Sequence, residues 1–150
     1  RGSMPLWIGG VGEQRTLRSA ARHASGWNAA YVSPEEFGRL NGVLDGHCAD
    51  LGRDPSTLER SINLMFNLGV DEASAARNEA QLAEQWGDLW VRVSSGALLG
   101  TPESAVGRVL EYRDAGADLV NVAVRAPIDH TAFDAYLEHT VPAVRSAVDS

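Results

Sequence analysis

The sequence predicts a parallel α/β fold in which four strands alternate with helices. Two observations carry this. Short apolar runs with strand-like patterning recur between stretches of helical spacing, and glycine or proline punctuates most of the changes from one to the other. The resulting order is strand, helix, strand, helix, strand, two helices, strand, helix. Such alternation calls for parallel strands joined by right-handed crossovers.

Leu6-Trp7-Ile8, stopped by Gly9-Gly10, reads as the first, buried strand. From Glu13, the positions Leu17, Ala20, Ala21 and Ala24 recur at helical spacing until Ser25-Gly26 ends the run. Trp27 to Val32 is the second strand. Ser33-Pro34-Glu35-Glu36 then starts a helix: Ser33 as cap, Pro34 at the first helical position, and Glu36 to complete a capping box. Phe37, Leu40, Leu44, Cys48 and Leu51 line one face of it, and Gly52 stands where a carboxy-terminal glycine cap belongs.

The third strand has the clearest period of two. Ile62, Leu64, Phe66, Leu68 and Val70 alternate with Ser61, Asn63, Met65, Asn67 and Gly69. Asp71 caps a helix to about Trp86. Gly87 to Gly100 is the least readable stretch and has room for a short helix or a lid. Thr101-Pro102-Glu103 opens the next helix, closed by Gly116, and Leu119 to Val124 is the fourth strand. After a loop, Arg125 to His130, Phe133, Leu137, Val141 and Val144 mark a last helix that Pro142 should break.

The composition narrows the function classes. The chain has 150 residues, 44% apolar and 22% charged, ordinary values for one globular domain. Arg1-Gly2-Ser3 reads as a cloning scar, leaving residues 4–150 as a single domain. The net charge of -7 argues against a nucleic-acid partner. All 13 basic residues are Arg, so Schiff-base and Lys–phosphate chemistry is excluded. The one cysteine, Cys48, cannot form an internal disulfide or a thiolate cluster, and its apolar helical stripe makes it a core thiol. No metal-ligand spacing and no G-x-S-x-G motif is present. Neither a membrane-length apolar run nor a signal peptide is evident, which leads to the expectation of a cytoplasmic protein without a membrane partner.

Several residues are candidates for a site. The Gly9-Gly10-Val11-Gly12 turn lies between a strand and a helix, where backbone N–H groups and the helix dipole can hold a phosphate; it also reads as a plain tight turn. Its glycine spacing is not that of a dinucleotide fingerprint. Asn28 and Tyr31 end the next strand. With the large apolar residues of the third strand turned towards the helices, Asn63 and Asn67 share the opposite face, and Asn121 does so in the fourth. Amides gathered on one face suit a polar ligand cavity, or else a hydrated seam. Arg125 and His130 follow the last strand, where an Arg can bind an anion and a His can move a proton; each also reads as a solvated loop residue.

Two longer stretches carry a resemblance. One is Pro5-Leu6-Trp7-Ile8-Gly9-Gly10-Val11-Gly12, continuing through Arg15-Thr16-Leu17-Arg18-Ser19-Ala20-Ala21-Arg22-His23-Ala24 to Gly26-Trp27-Asn28. The other is Gly100-Thr101-Pro102-Glu103 with Val109-Leu110-Glu111-Tyr112-Arg113-Asp114-Ala115-Gly116-Ala117-Asp118 and the Val-rich strand after it. Together they resemble the luciferase-like monooxygenases, (β/α)8-barrel oxidoreductases that use FMN or the deazaflavin F420. The resemblance covers almost the whole chain but only the carboxy-terminal half of that family's barrel, and a complete barrel takes about 250 residues.

The resemblance implies half of a TIM-type barrel, completed by a homodimer or by a complementary half-barrel chain. It puts Gly9 and Gly10 against the cofactor phosphate and Asn28 and Tyr31 in the neighbouring wall; Asn63, Asn67, Asn121 and Arg125 are then the candidates for meeting a small-molecule substrate, with His130 as a catalytic candidate. Binding of F420 or FMN by the isolated chain should be weak. The implied function is a truncated flavin- or F420-dependent oxidoreductase of monooxygenase type, or one half of such an enzyme. The alternative is a non-catalytic half-barrel homologue acting as a binding or assembly module. An open half-barrel would also expose Trp7, Met65 and Leu119.

Overall fold

A computed structural model describes residues 4–125 and 128–149. Arg1-Gly2-Ser3 and residues 126 and 127 of the loop before His130 lie outside the described residues. The order is β1 (Trp7–Gly9), a π-helical segment (Glu13–Leu17) running into α1 (Arg18–His23), β2 (Gly26–Ala30), α2 (Pro34–Asp50), β3 (Glu59–Leu68), α3 (Glu72–Trp86), α4 (Trp90–Val93), β4 (Ala97–Gly100), α5 (Pro102–Asp114), β5 (Leu119–Ala123), α6 (His130–Ala135), a second π-helical segment (Tyr136–Thr140) and α7 (Val141–Val148). Parallel strands alternating with helices are the expected class. β4 is an additional strand within the stretch that was hardest to read. The chain forms two compact units: one holds the described residues up to Asn63 with Tyr112–Asn121, the other Leu64–Glu111 with the described residues from Val122 onward.

In the first unit, β1 pairs with β2 and β2 with the first half of β3, all parallel; Trp7 stands opposite Gly26, and Ala30 opposite Asn63. Only glycine fits at position 26, because a Cβ there would sit 2.6 Å from the Trp7 ring. Ser33 caps α2 by accepting from the Glu36 N–H at 3.2 Å. The reciprocal half of the expected capping box does not form. The Glu36 carboxylate meets Arg39 instead, at 2.7 Å, and Arg39 also reaches Glu13 at 2.8 Å. This exposed charge network explains why the Glu36 carboxyl titrates below its usual range, the Arg39 hydrogen bond being the main cause.

The apolar stripe of α2 is buried as its spacing requires: Phe37, Leu40, Leu44 and Cys48 have no exposed surface. Burial pushes the Cys48 thiol up, so it behaves as a core hydrophobe. The Phe37 ring stacks on Trp27 at 5.4 Å and meets Tyr112 edge-on at 6.2 Å. Such aromatic pairs contribute about 0.5–1.5 kcal/mol each beyond the area they bury. Arg53 closes the carboxy-terminal end of α1: its guanidinium donates to the carbonyls of Ala21 at 3.0 Å and Ala24 at 2.9 Å, groups a helix end leaves without intrahelical partners.

In the second unit, the rest of β3 pairs in parallel with β4, Met65 opposite Ala97 and Leu68 opposite Gly100. Asp71 and Ser74 form a full capping box at the start of α3. Phe66 meets Phe133 and Tyr136 edge-on at 5.3 and 5.7 Å. Met65 is only 1% exposed, against the expectation that it would lie on an uncovered face, whereas Leu119 in the first unit is 49% exposed.

Pro142 disturbs the last helix through a change of register, with no gap in the helical path. Proline lacks an N–H, and its ring clashes with the carbonyl four residues earlier in a regular α-helix. The helix widens into the π segment Tyr136–Thr140, and α7 resumes with Pro142 in its first turn. In the same segment the buried Thr140 hydroxyl donates to the Pro102 carbonyl at 2.7 Å.

Candidate functional site

The glycine turn after β1 is held by its neighbours. The Gly10 N–H donates to the Asn28 carbonyl at 2.9 Å, and the Gly10 carbonyl accepts from the Trp27 indole at 2.8 Å. Gly10 has a φ of +125°, which side-chain-bearing residues rarely adopt, and a Cβ there would meet Thr16 Cγ2 at 3.2 Å. The Gly10 N–H is therefore committed to joining β1 to β2 and is not available to an anion. Donors open to a ligand lie further on. Gly12 precedes the π segment with no side-chain cap, and the first N–H groups of any helix lack intrahelical acceptors. Residues Val11 to Thr16, including Arg15, line an open cavity of about 450 Å³.

Asn28, Ser61 and Asn63 form a polar chain beside that turn. Asn28 Nδ2 donates to Ser61 Oγ at 2.6 Å and to Asn63 Oδ1 at 3.3 Å; Ser61 Oγ donates in turn to the Trp27 carbonyl at 3.3 Å. The Asn28 amide hydrogens thus go to the sheet, which leaves its Oδ1 as acceptor and Asn63 Nδ2 as donor for anything beyond. Ser61 was not singled out in the sequence, although its period-two relation to Asn63 carries the signal.

Tyr31 adds a feature with no sequence signal. Its φ of +58° makes it the one described non-glycine residue in the left-handed region. Its N–H donates to the Asn63 carbonyl at 3.1 Å. Non-glycine residues held in this region cost about 1–3 kcal/mol and cluster at ligand sites. Gly9, Gly10, Asn28, Tyr31 and Asn63 are thus linked within the first unit. Asn121 is exposed in β5, and no hydrogen bond joins it to Asn28 or Asn63 among the described residues.

Three predicted residues lie in the second unit. Arg125 packs its guanidinium 5.7 Å from the centre of the Trp86 ring, a cation–π contact. His130 is the exposed first residue of α6, which Asp129 caps by accepting from the Ala132 N–H at 3.0 Å. Asn67 lines a cavity of about 250 Å³ that also involves Asn78 and Asp129. Its buried Nδ2 has no hydrogen-bond partner among the described residues. Asn78, on a helix, left no trace in the sequence pattern. No group of three or more His, Cys, Asp or Glu among the described residues could hold a metal ion, and no helix there is long and apolar enough to cross a membrane.

No protein-family model and no curated protein matches the sequence. Solved structures do match the fold. An F420-dependent secondary alcohol dehydrogenase, solved with an F420–acetone adduct, superimposes with a TM-score of 0.74 at 16% identity, over 95% of this chain and 49% of that enzyme. The likeness is one of fold. The EDTA monooxygenase of Chelativorans sp. BNC1 gives 0.73 at 15% identity over 97% and 45%. The coenzyme F420-dependent tetrahydromethanopterin reductase of Methanopyrus kandleri gives 0.67 at 16% over 93% and 50%. The chain spans about half the length of these enzymes.

Proposed function

We propose that the chain is one part of an F420- or FMN-dependent oxidoreductase of the luciferase-like family, completed by a second copy or by a complementary chain. The observation that carries this reading is the fold likeness along nearly the whole chain to enzymes described as F420-dependent, joined to the resemblance of the glycine turn. F420 or FMN would supply the hydride or oxygen chemistry. The part of this chain is to hold it.

The residues present fit a phosphate at Val11–Thr16 better than at Gly9–Gly10. The Gly10 N–H is engaged, whereas the uncapped helical start and Arg15 offer donors and positive charge. Glu13, the acidic group nearby, is paired with Arg39, a charge it shares with Glu36. Gly10 and Gly12 keep the turn free of side chains that would run into Thr16. Asn63 Nδ2 and the strained Tyr31, joined to Asn28 through hydrogen bonds of β2 and β3, would orient a polar ring system. Within the second unit, Asn67 and Arg125 are proposed to meet the substrate, and His130 to move a proton near it.

The test is a fluorescence titration of F420 and FMN, separately, into wild type and Arg15→Glu. Gly10→Val is a poor probe, because its backbone conformation is already costly for any side chain. Wild type should bind one cofactor with a dissociation constant of micromolar or weaker, on the order of -8 kcal/mol at best, and Arg15→Glu should bind at least about tenfold more weakly. Absence of binding at millimolar cofactor would leave the non-catalytic binding or assembly module as the reading.

A further inference from the structure

The outer side of α1 carries unanswered charge. The helix packs against α2 and β1 and buries Ala20 and Ala21. Its other side presents Arg18 and Arg22, both exposed. They stand four residues apart, hence as neighbours on one helix face. Neither has an ion-pair or hydrogen-bond partner among the described residues. Other arginines are used inside the chain: Arg39, Arg60, Arg108 and Arg113 meet carboxylates, and Arg53 meets backbone carbonyls. In a chain with a net charge of -7, this face is a local reversal of sign.

The last helix shows the complementary pattern. Asp134 and Glu138 are exposed, four residues apart, and without an ion-pair partner among the described residues. Beside them run Leu137, Val141, Val144 and Val148, a stripe at helical spacing that calls for cover. Yet no residue of α7 is buried, and Leu137 and Val148 are 48% and 54% exposed. An apolar stripe next to two carboxylates fits a partner that brings basic heads on aliphatic stems, as arginine does. The pitch agrees as well, since residues four apart rise by about 6 Å along either helix.

We propose that the outer face of α1 docks on the last helix of a second copy of this chain. Arg18 and Arg22 of one copy pair with Asp134 and Glu138 of the other, and their stems cover Leu137 and Val141. Each copy offers both faces, so a symmetric dimer makes the contact twice. The proposal rests on completion by a second copy and specifies which faces meet. Arg15, assigned to the cofactor phosphate, takes no part in it.

The test is charge reversal in the full chain, read by sedimentation at micromolar concentration. Wild type should be dimeric. Arg18→Glu with Arg22→Glu, and separately Asp134→Arg with Glu138→Arg, should each raise the dimer dissociation constant about a hundredfold or more, because like charges then face each other. An equimolar mixture of the two variants should recover the dimer, since every contact in the mixed pair again joins opposite charges; misfolded chains could not do so. One chain carrying all four substitutions should dimerise too. If reversal leaves the dimer intact, or if neither the mixture nor the fourfold variant recovers it, the assigned faces are wrong while completion by a second copy stands. A wild type that stays monomeric would overturn both.

Discussion

The Tyr112 hydroxyl donates to the Val32 carbonyl oxygen across 2.6 Å, and it does so from a side chain with no exposed surface. Val32 directly follows Tyr31, so this bond holds the chain next to the one described non-glycine residue in the left-handed region. Tyr112→Phe keeps the ring contact with Phe37 and strips the carbonyl of its donor. The expected loss is about 1–2 kcal/mol, read by urea denaturation as a lower midpoint with an unchanged slope.

Tyr31 itself provides a comparison of two truncations. Alanine and glycine both remove the ring, but only glycine adopts a φ of +58° without steric cost. Tyr31→Gly should therefore be more stable than Tyr31→Ala by about 1 kcal/mol. This reverses the usual ranking, in which glycine is the worse residue in regular structure. Equal melting temperatures for the two variants would show that the strain is not real.

Gly69 is the tightest glycine of the second unit. A Cβ there would run into the backbone nitrogen of Ala75 at the start of α3. Backbone cannot yield as a flexible side chain can, so Gly69→Ala should cost at least about 1–3 kcal/mol. Thermal unfolding and near-ultraviolet circular dichroism would show it.

Acid should weaken the protein through its caps. Asp71 and Asp54 both titrate below the usual carboxylate range, chiefly because backbone N–H groups, of Ser74 and Ser56 respectively, donate to the ionised form. A carboxyl lowered in the folded state favours folding above its unfolded pKa, and that contribution disappears as pH falls through the folded value. Stability should fall as pH drops below about 4. Asp71→Asn retains a capping side chain but cannot titrate, so its stability profile in that window should be flatter than wild type. Parallel profiles would contradict the assignment.

The chain should associate. Leu119 and Val124 are 49% and 43% exposed, and Val91 is 82% exposed. Leaving such residues in water forgoes about 1 kcal/mol for each of the two half-exposed ones and about 2 kcal/mol for Val91. Sedimentation at micromolar concentration should give a dimer, and a well-folded monomer would remove the support for completion by a second copy.

Much of the architecture could be read from the residues because local and long-range signals agree. Around α2, the Ser33 cap, Pro34, the Phe37–Cys48 stripe and Gly52 all give one answer. The β4 strand could not be read so: Ala97-Leu98-Leu99-Gly100 is too short to show a period and follows a run of helical turns. β3 begins at Glu59, two residues before its period of two, because the charged Arg60 is held in the strand by Asp45 and by Asp118. At the site, the period of two puts Ser61, Asn63 and Asn67 on one strand face. Nothing in the sequence reports that the Gly10 N–H is taken by Asn28, that Tyr31 adopts a glycine-like backbone, or that Asn78 and Asp129 meet.

The π segment at Tyr136–Thr140 leaves one residue more in the last helix than an α-helix of the same path would hold. Winding the same residues as a regular α-helix would turn everything after the segment by about 100° relative to Phe133 and Tyr136, swinging the Thr140 hydroxyl off the Pro102 carbonyl. The irregular turn thus acts as a phase adjuster: it lets one helix set its aromatic pair against Phe66 and its hydroxyl against Pro102, two positions that an unbroken spiral could not serve together.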